Sequence, residues 1–286
     1  MGGGDVTRPG GGDASGKSDD ASGKSAAPFD GVRLALASLS GESDAAWARR
    51  GDAFADLAFL GGIALDADSR EAARRLVERD RSEFLPDDPL AFVDRELAAL
   101  ADAPLVPAIN VRSATVDPVR EAARVAADHD AVLEVNAHCR QPELCAVGCG
   151  ESLLADTDRL CEYVAAASGA GATVSVKVRA EVPGVDLAET AHRVRDAGAD
   201  AIHVDAMDTE AVVRDVAASD LFVLANNEVR GCESVREYLD YGADAVSVGR
   251  PSDSPAVLRR VRRAVDEWFD ERAGAIDSTA DAGESP

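Results

Sequence analysis

The sequence predicts a single (β/α)8 barrel, the α/β fold of the TIM-barrel type. Eight short apolar runs alternate with longer amphipathic segments from Val32 onward, a pattern typical of parallel strands joined by right-handed crossovers. Residues 29–272 have the length of one such barrel. Residues 1–28 and 273–286 are dominated by Gly, Ser, Asp and Ala. Such segments bury too little apolar surface to fold, so we predict disordered N- and C-terminal tails.

The apolar runs are the predicted strands, and the segments between them are the predicted helices. The strands are "VRLALASL" (32–39), "FADLAFL" (54–60), "PLVPAINV" (104–111), "AVLEVNA" (131–137), "ATVSVKVR" (172–179), "DAIHVDA" (200–206), "LFVLANN" (221–227) and "DAVSVGR" (244–250). In the helix before the sixth strand, Leu187, Ala191 and Val194 share one face. Gly198 ends that helix. An additional helical segment, 88–100, precedes the third strand.

The composition argues against a surface built for DNA or RNA. The net charge is −23, whereas proteins that hold nucleic acid present basic patches. Of the thirty cationic side chains only three are lysines, namely Lys17, Lys24 and Lys177. An acidic, lysine-poor surface is typical of proteins from salt-loving archaea, where salt screens the repulsion. No membrane-length apolar run and no signal peptide is present, so we expect a cytoplasmic protein.

One motif near the start is misleading. Residues Gly11–Ser18, "GGDASGKS", satisfy the phosphate-binding pattern G-x-x-x-x-G-K-S. That loop functions only between a buried strand and a helix. Neither is predicted here, and "DASGKS" recurs at Asp20–Ser25. The match is therefore interpreted as low complexity.

Three of the five cysteines lie close together, beside a histidine. Cys139, Cys145 and Cys149 have the spacing C-x5-C-x3-C, without the close pair that structural zinc sites favour. His138 adjoins Cys139, and adjacent residues rarely reach one metal ion. We therefore predict no metal, and a reducing cytoplasm disfavours a disulfide. Cys139 follows the fourth strand at the barrel mouth, so it is the candidate functional thiol, and the other cysteines are interpreted as apolar filler.

Polar side chains stand where the predicted strands finish, which is where barrels of this type place their chemistry. Lys177 lies in "VSVKV" and faces inward, which is costly unless it meets an anion or an electron-rich group. It could form a Schiff base, or bind an anion or a flavin ring. His203 is predicted to point into the barrel mouth. The ends of the seventh and eighth strands, where barrels commonly hold phosphate, carry Asn226, Asn227, Gly249 and Arg250.

Five motifs in this order resemble one enzyme family: "VNAHC…GCGESLL", "VSVKVR", "AIHV", "LANNEV" and "AVSVGR". The sequence is similar to the tRNA-dihydrouridine synthases, FMN-dependent barrels, and most of all to an archaeal branch related to them. The resemblance implies an FMN-dependent oxidoreductase that reduces the C5=C6 bond of uracil in tRNA with NAD(P)H. It implies that Cys139 protonates C5 and that Asn136 seats the base. The flavin-binding residues that it implies are Asn110, Lys177, Arg179 and His203 for the ring, and Asn226, Asn227, Gly249 and Arg250 for the phosphate.

The sequence departs from the family pattern at several of these positions. The usual Gly-Cys-Pro is His138-Cys139-Arg140, and the usual His-x-Arg is His203-Val204-Asp205. The usual Asn-Gly-Asp is Asn226-Asn227-Glu228. The helical domain with which the family helps to grip tRNA has no counterpart after Trp268. The resemblance therefore supports an FMN site more directly than a tRNA partner.

Three other functions stay open on the sequence alone. A flavoenzyme similar to dihydroorotate dehydrogenase could act on a free pyrimidine. A lyase could use Lys177 as a Schiff base without flavin. A degenerate barrel could bind a ligand and catalyse nothing. Colour separates the last two from the flavoenzymes, because a bound flavin makes the purified protein yellow.

Overall fold

In the computed structural model, which describes residues 1–2 and 29–281, eight parallel strands close into a barrel. The strands follow one another in sequence order, and β8 pairs with β1 to complete the ring. The predicted (β/α)8 fold is confirmed. The strands are β1 (Leu34–Leu36), β2 (Leu57–Ala64), β3 (Val106–Arg112), β4 (Val132–Asn136), β5 (Thr173–Arg179), β6 (Ala201–Asp205), β7 (Phe222–Asn226) and β8 (Ala245–Val248).

Helices surround the barrel and cover the outward faces of the strands. They are α1 (Ala45–Gly51), α2 (Ala67–Val77), α3 (Pro89–Ala98), α4 (Val116–Asp128), α5 (Pro142–Cys145), α6 (Glu151–Ala155), α7 (Thr157–Ser168), α8 (Leu187–Asp196), α9 (Val212–Ala217), α10 (Cys232–Asp240) and α11 (Pro255–Asp281). Helix α3 is the additional helix predicted before the third strand. Its start is fixed by the Asp88 carboxylate, which accepts from the backbone N–H groups of Leu90 and Ala91.

Strand β5 shows how alternating residues contribute to two cores, one between the barrel and the helices and one inside the barrel. Val174, Val176 and Val178 point outward and are fully buried against the helical layer. The residues between them point into the barrel, because successive side chains of a strand face opposite ways. Those inward residues, Ser175 and Lys177 among them, are polar.

The inside of the barrel has an apolar lower part and a polar upper part. Near the amino ends of the strands, Phe59, Leu57 and Leu224 belong to a closed apolar cluster. Above it lies a layer of hydrogen-bonding side chains that are at most 1% exposed: Asn110, Glu134, Ser175, His203 and Ser247. Buried polar groups are tolerated only when they bond to one another. Hydrogen bonds, rather than apolar packing alone, therefore determine the arrangement of the upper layer.

Two strand boundaries differ from the sequence prediction. Strand β1 has only three residues, Leu34–Leu36. Strand β2 does not end before the Gly61-Gly62 pair but continues to Ala64, with a shift of register against β3 at this pair. The φ angles of Gly61 and Gly62 are +88° and +68°, a region that glycine enters without strain. The glycines thus form a bulge inside the strand, which periodicity alone does not reveal.

The last helix extends beyond residue 272, the predicted end of the barrel. Helix α11 continues past residue 273 to Asp281, since its alanines favour the helical state once Trp268, only 8% exposed, has anchored it on the barrel. The predicted tail 1–28 falls almost wholly outside the described residues, as do the G-x-x-x-x-G-K-S match and residues 282–286. In the described part of the chain, no helix combines the length and the apolar character needed to cross a membrane.

Candidate functional site

A cavity of about 630 Å³ opens at the carboxyl ends of the strands. A smaller cavity of about 280 Å³ shares part of its wall, including Lys177 and Arg250, and extends toward the ends of β7 and β8. Both lie where barrels of this type act. Of the site residues expected from the sequence, the two cavities bring together Asn136, Cys139, Lys177, Arg179, Asn226, Asn227, Gly249 and Arg250.

Lys177 is the cation at the centre of this site. Its side chain is buried, at 4% exposure, yet it lines both cavities. Among the described residues its ammonium group has no hydrogen bond and no ion pair. Burial lowers the pKa of Lys177, and the carboxylates of Glu134 and Asp205 oppose that shift. A buried ammonium without a partner is costly, so this arrangement favours a ligand that supplies the missing acceptor.

Cys139 is held by a turn that Asn136 organises. The Asn136 Oδ1 atom accepts the backbone N–H groups of His138, at 3.3 Å, and Cys139, at 3.1 Å. Its Nδ2 group donates to Asn110 Oδ1 at 2.9 Å. The thiol of Cys139 is partly exposed and lines the larger cavity. Both ends of the Asn136 amide are engaged within the protein, so this residue positions the loop that carries the thiol.

Gly150 lets the following segment cross directly over Cys139. Its φ is +63°, and a Cβ atom there would lie 1.9 Å from the carbonyl oxygen of Cys139. That oxygen already accepts the backbone N–H of Glu151 at 2.9 Å. Of the two glycines predicted to fold this loop tightly, Gly150 is therefore required by contact as well as by backbone conformation.

Gly150→Ala is expected to lower the free energy of unfolding by roughly 2–4 kcal/mol, because strain at positive φ adds to a backbone clash. Thermal or urea unfolding measures the loss. Gly274→Ala is the matched control for stability. Gly274 lies within helix α11, where alanine is favourable, and a Cβ atom there would meet nothing within 4 Å. Equal stability of the two variants would show that the loop adjusts freely.

The neighbouring cysteines have structural surroundings. The Sγ atom of Cys145 donates to the carbonyl of Cys139 at 3.4 Å. Cys149 is 1% exposed and packs with Leu76 and Leu144. Burial, reinforced by Asp66, raises the pKa of Cys149 to about 12, so it stays a thiol. Within residues 29–281, no group of three or more His, Cys, Asp or Glu side chains is arranged to hold a metal ion.

Two of the expected cofactor-binding residues do not reach either cavity. Asn110 and His203 are fully buried, beneath the cavity floor. The His203 Nδ1 atom lies 2.8 Å from Glu134 Oε2, and Nε2 lies 2.7 Å from Ser247 Oγ. The expectation that His203 points into the barrel mouth is wrong, since both ring nitrogens are taken up inside the barrel. Asn110 is likewise occupied by Glu134 and Asn136.

The two departures from the expected motif meet at the cavity wall. His138 Nε2 lies 2.8 Å from the Asp205 carboxylate. Burial and the Lys177 cation lower the pKa of His138, although Asp205 opposes the shift. Burial would raise the pKa of Asp205, but the hydrogen bond from His138 holds it below its usual value. A neutral His138 then donates from Nε2 to the carboxylate, and its Nδ1 is an acceptor.

Several residues in and beneath the cavities were not expected from the sequence. Glu134 was visible as an acid inside an apolar strand, two residues before Asn136 and therefore on the same inward face. Ser247 could have been found by the same alternation. Arg112 was not detectable, because its role depends on a loop. Its guanidinium bonds to Glu83 at 2.7 Å and to Ser40, and it lines the larger cavity.

The cavity mouth carries more cations than acids, although the chain as a whole is acidic; the exposed acids in its lining are Glu42 and Asp80. Arg81, Arg140 and Arg250 line it and are exposed. In the described part of the chain none of the three has a carboxylate partner. By contrast, the buried Arg179 pairs with Glu151 at 3.0 Å. In a chain with a net charge of −23, three unpaired arginines around one opening favour an anionic ligand.

The fold and the site define a (β/α)8 barrel with a thiol and a buried ammonium in one cavity at the carboxyl ends of its strands. The family model for dihydrouridine synthase (Dus) matches residues 95–281. The chain belongs to the dihydrouridine synthase family. Membership supports an oxidoreductase acting on CH–CH groups.

Relatives and solved structures agree with this assignment at the level of the fold. An uncharacterized protein of Methanocaldococcus jannaschii, MJ0144, is 26% identical over 230 residues, which are 76% of this chain and 88% of that protein. DHODH from Eimeria tenella, solved with ferulenol, superimposes with a TM-score of 0.60 at 14% identity and covers 84% of this chain and 82% of its own. The tryptophan synthase complex from Pyrococcus furiosus gives a TM-score of 0.51 at 13% identity, with 84% and 98% covered.

Proposed function

We propose that the protein is an FMN-dependent oxidoreductase that reduces the C5=C6 bond of a uracil ring in a phosphorylated substrate such as tRNA, with NAD(P)H as the electron donor. The observation that carries the proposal is Lys177. Its buried ammonium faces a cavity without a protein partner, and the same cavity presents the Cys139 thiol. Reduction of a C=C bond needs a hydride and a proton. Lys177 would hold the flavin that supplies the hydride, and Cys139 would supply the proton.

The cavities fit FMN in their chemistry and in their size. The volumes of about 630 and 280 Å³ lie near the range of small-molecule sites. Lys177 would hold the electron-rich N1 and O2 edge of the flavin ring. The amides of Asn226 and Asn227, the open backbone at Gly249 and the guanidinium of Arg250 would hold the phosphate. Bound FMN supplies the hydride.

The chain's own groups account for the remaining steps. Cys139, held by Asn136, would donate the proton to C5 of the uracil ring, because free cysteine is largely protonated at neutral pH. The unpaired Arg81 and Arg140 at the mouth would bind substrate phosphates. These two arginines favour a nucleotide or tRNA over a free base, because a free base has no phosphate for them to bind. The acidic exterior would repel RNA at low salt and is screened at high salt.

Purification of the protein at high salt, followed by its absorption spectrum, tests the proposal. A flavin band, and NAD(P)H-dependent reduction of uridine in tRNA or a uridine nucleotide, are the expected results. A colourless protein that takes up no added FMN would refute it. Reduction of free uracil alone would redirect it to the small pyrimidine substrate.

A second candidate has one observation in its favour. Burial lowers the pKa of Lys177, and a lysine with a lowered pKa is what a Schiff-base lyase needs. Borohydride trapping of a carbonyl substrate on Lys177, in a protein without flavin, would support the lyase. Family membership favours the flavoenzyme.

Arg250→Ala is expected to weaken FMN binding about 10- to 150-fold, since it removes a charge-assisted contact worth about 1.5–3 kcal/mol. Titration of the apoprotein with FMN, followed by flavin fluorescence, measures the change. Arg230→Ala is the matched control. Arg230 lines the same small cavity but is paired with Glu228 at 2.8 Å, so its loss should matter less. Equal effects would place the phosphate elsewhere.

A further inference from the structure

The polar layer beneath the cavity is a continuous hydrogen-bonded chain that crosses the barrel from β4 to β7. Its middle member is Glu134, a side chain with 0% exposure. One carboxylate oxygen, Oε1, accepts from Asn110 Nδ2 at 2.7 Å. The other, Oε2, lies 2.8 Å from His203 Nδ1. An ionised carboxylate can only accept hydrogen bonds. The direction of every other bond in the chain therefore follows from Glu134.

The first arm runs from Glu134 to the loop that carries the thiol. Because Asn110 donates its amide to Glu134, its Oδ1 must accept, and it does so from Asn136 Nδ2 at 2.9 Å. The Asn136 Oδ1 is thereby left to accept the backbone N–H groups of His138 and Cys139. If either amide were reversed, Asn136 would present a donor to two other donors. The negative charge at Glu134 thus sets the orientation that closes the Cys139 turn.

The second arm runs from Glu134 toward the smaller cavity. Burial and the Lys177 cation lower the pKa of His203, against the opposing effect of Glu134, which favours a neutral ring with its proton on Nδ1, the nitrogen that faces the carboxylate. Nε2 then accepts from Ser247 Oγ at 2.7 Å, and Ser247 accepts from Asn226 Nδ2 at 2.6 Å. The Asn226 amide oxygen is left toward the cavity as an acceptor. The same carboxylate therefore orients an amide on the opposite side of the barrel.

Glu134 and His203 form a fully buried pair. Burial would raise the pKa of Glu134, but the electrostatic interaction and hydrogen bond with His203, the nearby Lys177 cation and the hydrogen bond from Asn110 hold it below its usual value. Lys177 follows Ser175, the register partner of Glu134, by two residues on β5, and therefore faces the same interior. Glu134 and Lys177 are therefore buried charges of opposite sign on neighbouring strands, both inside the barrel.

We propose that Glu134 is a positioning residue of the site: it fixes the direction of both hydrogen-bonded arms, and so the Cys139 turn, and it keeps Lys177 in the charged state that a flavin ring would meet. The part that concerns Lys177 rests on the proposed function. The part that concerns Cys139 does not. Glu134 itself touches neither cavity, so it acts only through Asn110, His203 and Lys177.

The experiment compares Glu134→Gln with the wild-type protein and with Ser175→Ala. Gln has the same size but brings an amide donor, which conflicts with Asn110 or with His203. Ser175→Ala is the matched control, since it removes only the longest contact of the carboxylate, 3.4 Å. The first measurement needs no flavin: the alkylation rate of Cys139 by iodoacetamide, followed by peptide mass spectrometry. It should rise roughly tenfold in Glu134→Gln, the effect of losing a hydrogen bond to a charged group, and stay unchanged in Ser175→Ala.

The second measurement is the pH dependence of FMN affinity. Binding that needs a protonated Lys177 is present below the pKa of that group and lost as the pH rises through it. Without Glu134 that loss should move down by about one to three pH units, the usual effect of one nearby opposite charge. The other groups that act on Lys177 stay in place in both proteins: Asp205, Arg112, Cys139, His138 and His203.

Single-arm variants keep the proposal testable if Glu134→Gln does not fold. Asn110→Leu cuts only the first arm, so it should raise Cys139 alkylation and leave the pH profile of FMN binding in place. Ser247→Ala cuts only the second arm and should leave alkylation unchanged. Equal alkylation in the wild type, Glu134→Gln and Asn110→Leu would overturn the proposal, as would an unchanged pH profile in Glu134→Gln. A wild type that binds no FMN would refute the proposed function alone, because the alkylation result stands by itself.

Discussion

Replacement of Cys139 by alanine is expected to slow the reduction of substrate by about 10²–10⁴, the usual contribution of a positioned general acid, while FMN binding and flavin reduction by NAD(P)H stay intact. The Cys139 side chain lines the larger cavity and packs at the edge of the apolar cluster of Leu76 and Leu144, whereas the turn is held by the backbone N–H and carbonyl groups of Cys139. Alanine keeps the Cβ atom and the backbone contacts, so the replacement should act mainly on the proton. Single-turnover oxidation of the reduced enzyme by uridine-containing RNA isolates that step.

Cys145→Ala and Cys149→Ala are the matched controls for this experiment. Both thiols lie on the same loop, but Cys145 bonds to a backbone carbonyl and Cys149 is sealed in an apolar cluster. Each should change the reductive step by less than about threefold, since neither can pass a proton to a ligand. If either variant lost as much activity as Cys139→Ala, a site shared by several cysteines would replace the single general acid.

Replacement of Lys177 by methionine should weaken FMN binding by about 10- to 150-fold, the loss of one charge-assisted hydrogen bond worth about 1.5–3 kcal/mol. Methionine keeps the length of the side chain but removes the positive charge on which the carboxylates of Glu134 and Asp205 act. Equilibrium titration of the apoprotein measures the affinity. Arg179→Met is the comparison, and a smaller loss is expected because Arg179 is already paired with Glu151. A larger loss from Arg179→Met would make that arginine the ring-binding cation.

The alternation of residues along the strands was enough to predict the barrel and much of its site. In β5, "TVSVKVR" separates outward valines from inward Ser175, Lys177 and Arg179, and the structure has the same separation. Residues at the ends of β7 and β8 were also placed correctly at the cavities. These features depend on local periodicity and on the rule that barrel chemistry lies at the carboxyl ends.

The sequence did not reveal how far each inward side chain lies below the cavity. Lys177 and His203 are register partners on neighbouring strands, yet only the lysine reaches the cavity. Its four-carbon stem extends upward, whereas the short imidazole is held by Glu134 from a third strand. Asn110 was misplaced for the same reason, because β3 continues past it to Arg112. Such depth is set by the tilt and stagger of the closed barrel, and by contacts between strands that are distant in sequence.

The contact between His138 and Asp205 has a consequence for how this branch of the family is recognised and how it can change. His138 lies in the loop after β4 and Asp205 ends β6, 67 positions further along the chain, and each stands where the family motif has another residue. Replacing either residue alone would leave the other, a half-buried carboxylate or imidazole, without its hydrogen-bond partner. The two positions are therefore expected to be inherited together. A sequence with histidine before the cysteine that follows the fourth strand should then carry an acid two residues after the histidine of the sixth strand. That linked pair would mark members of this branch, even where overall identity is too low to align them.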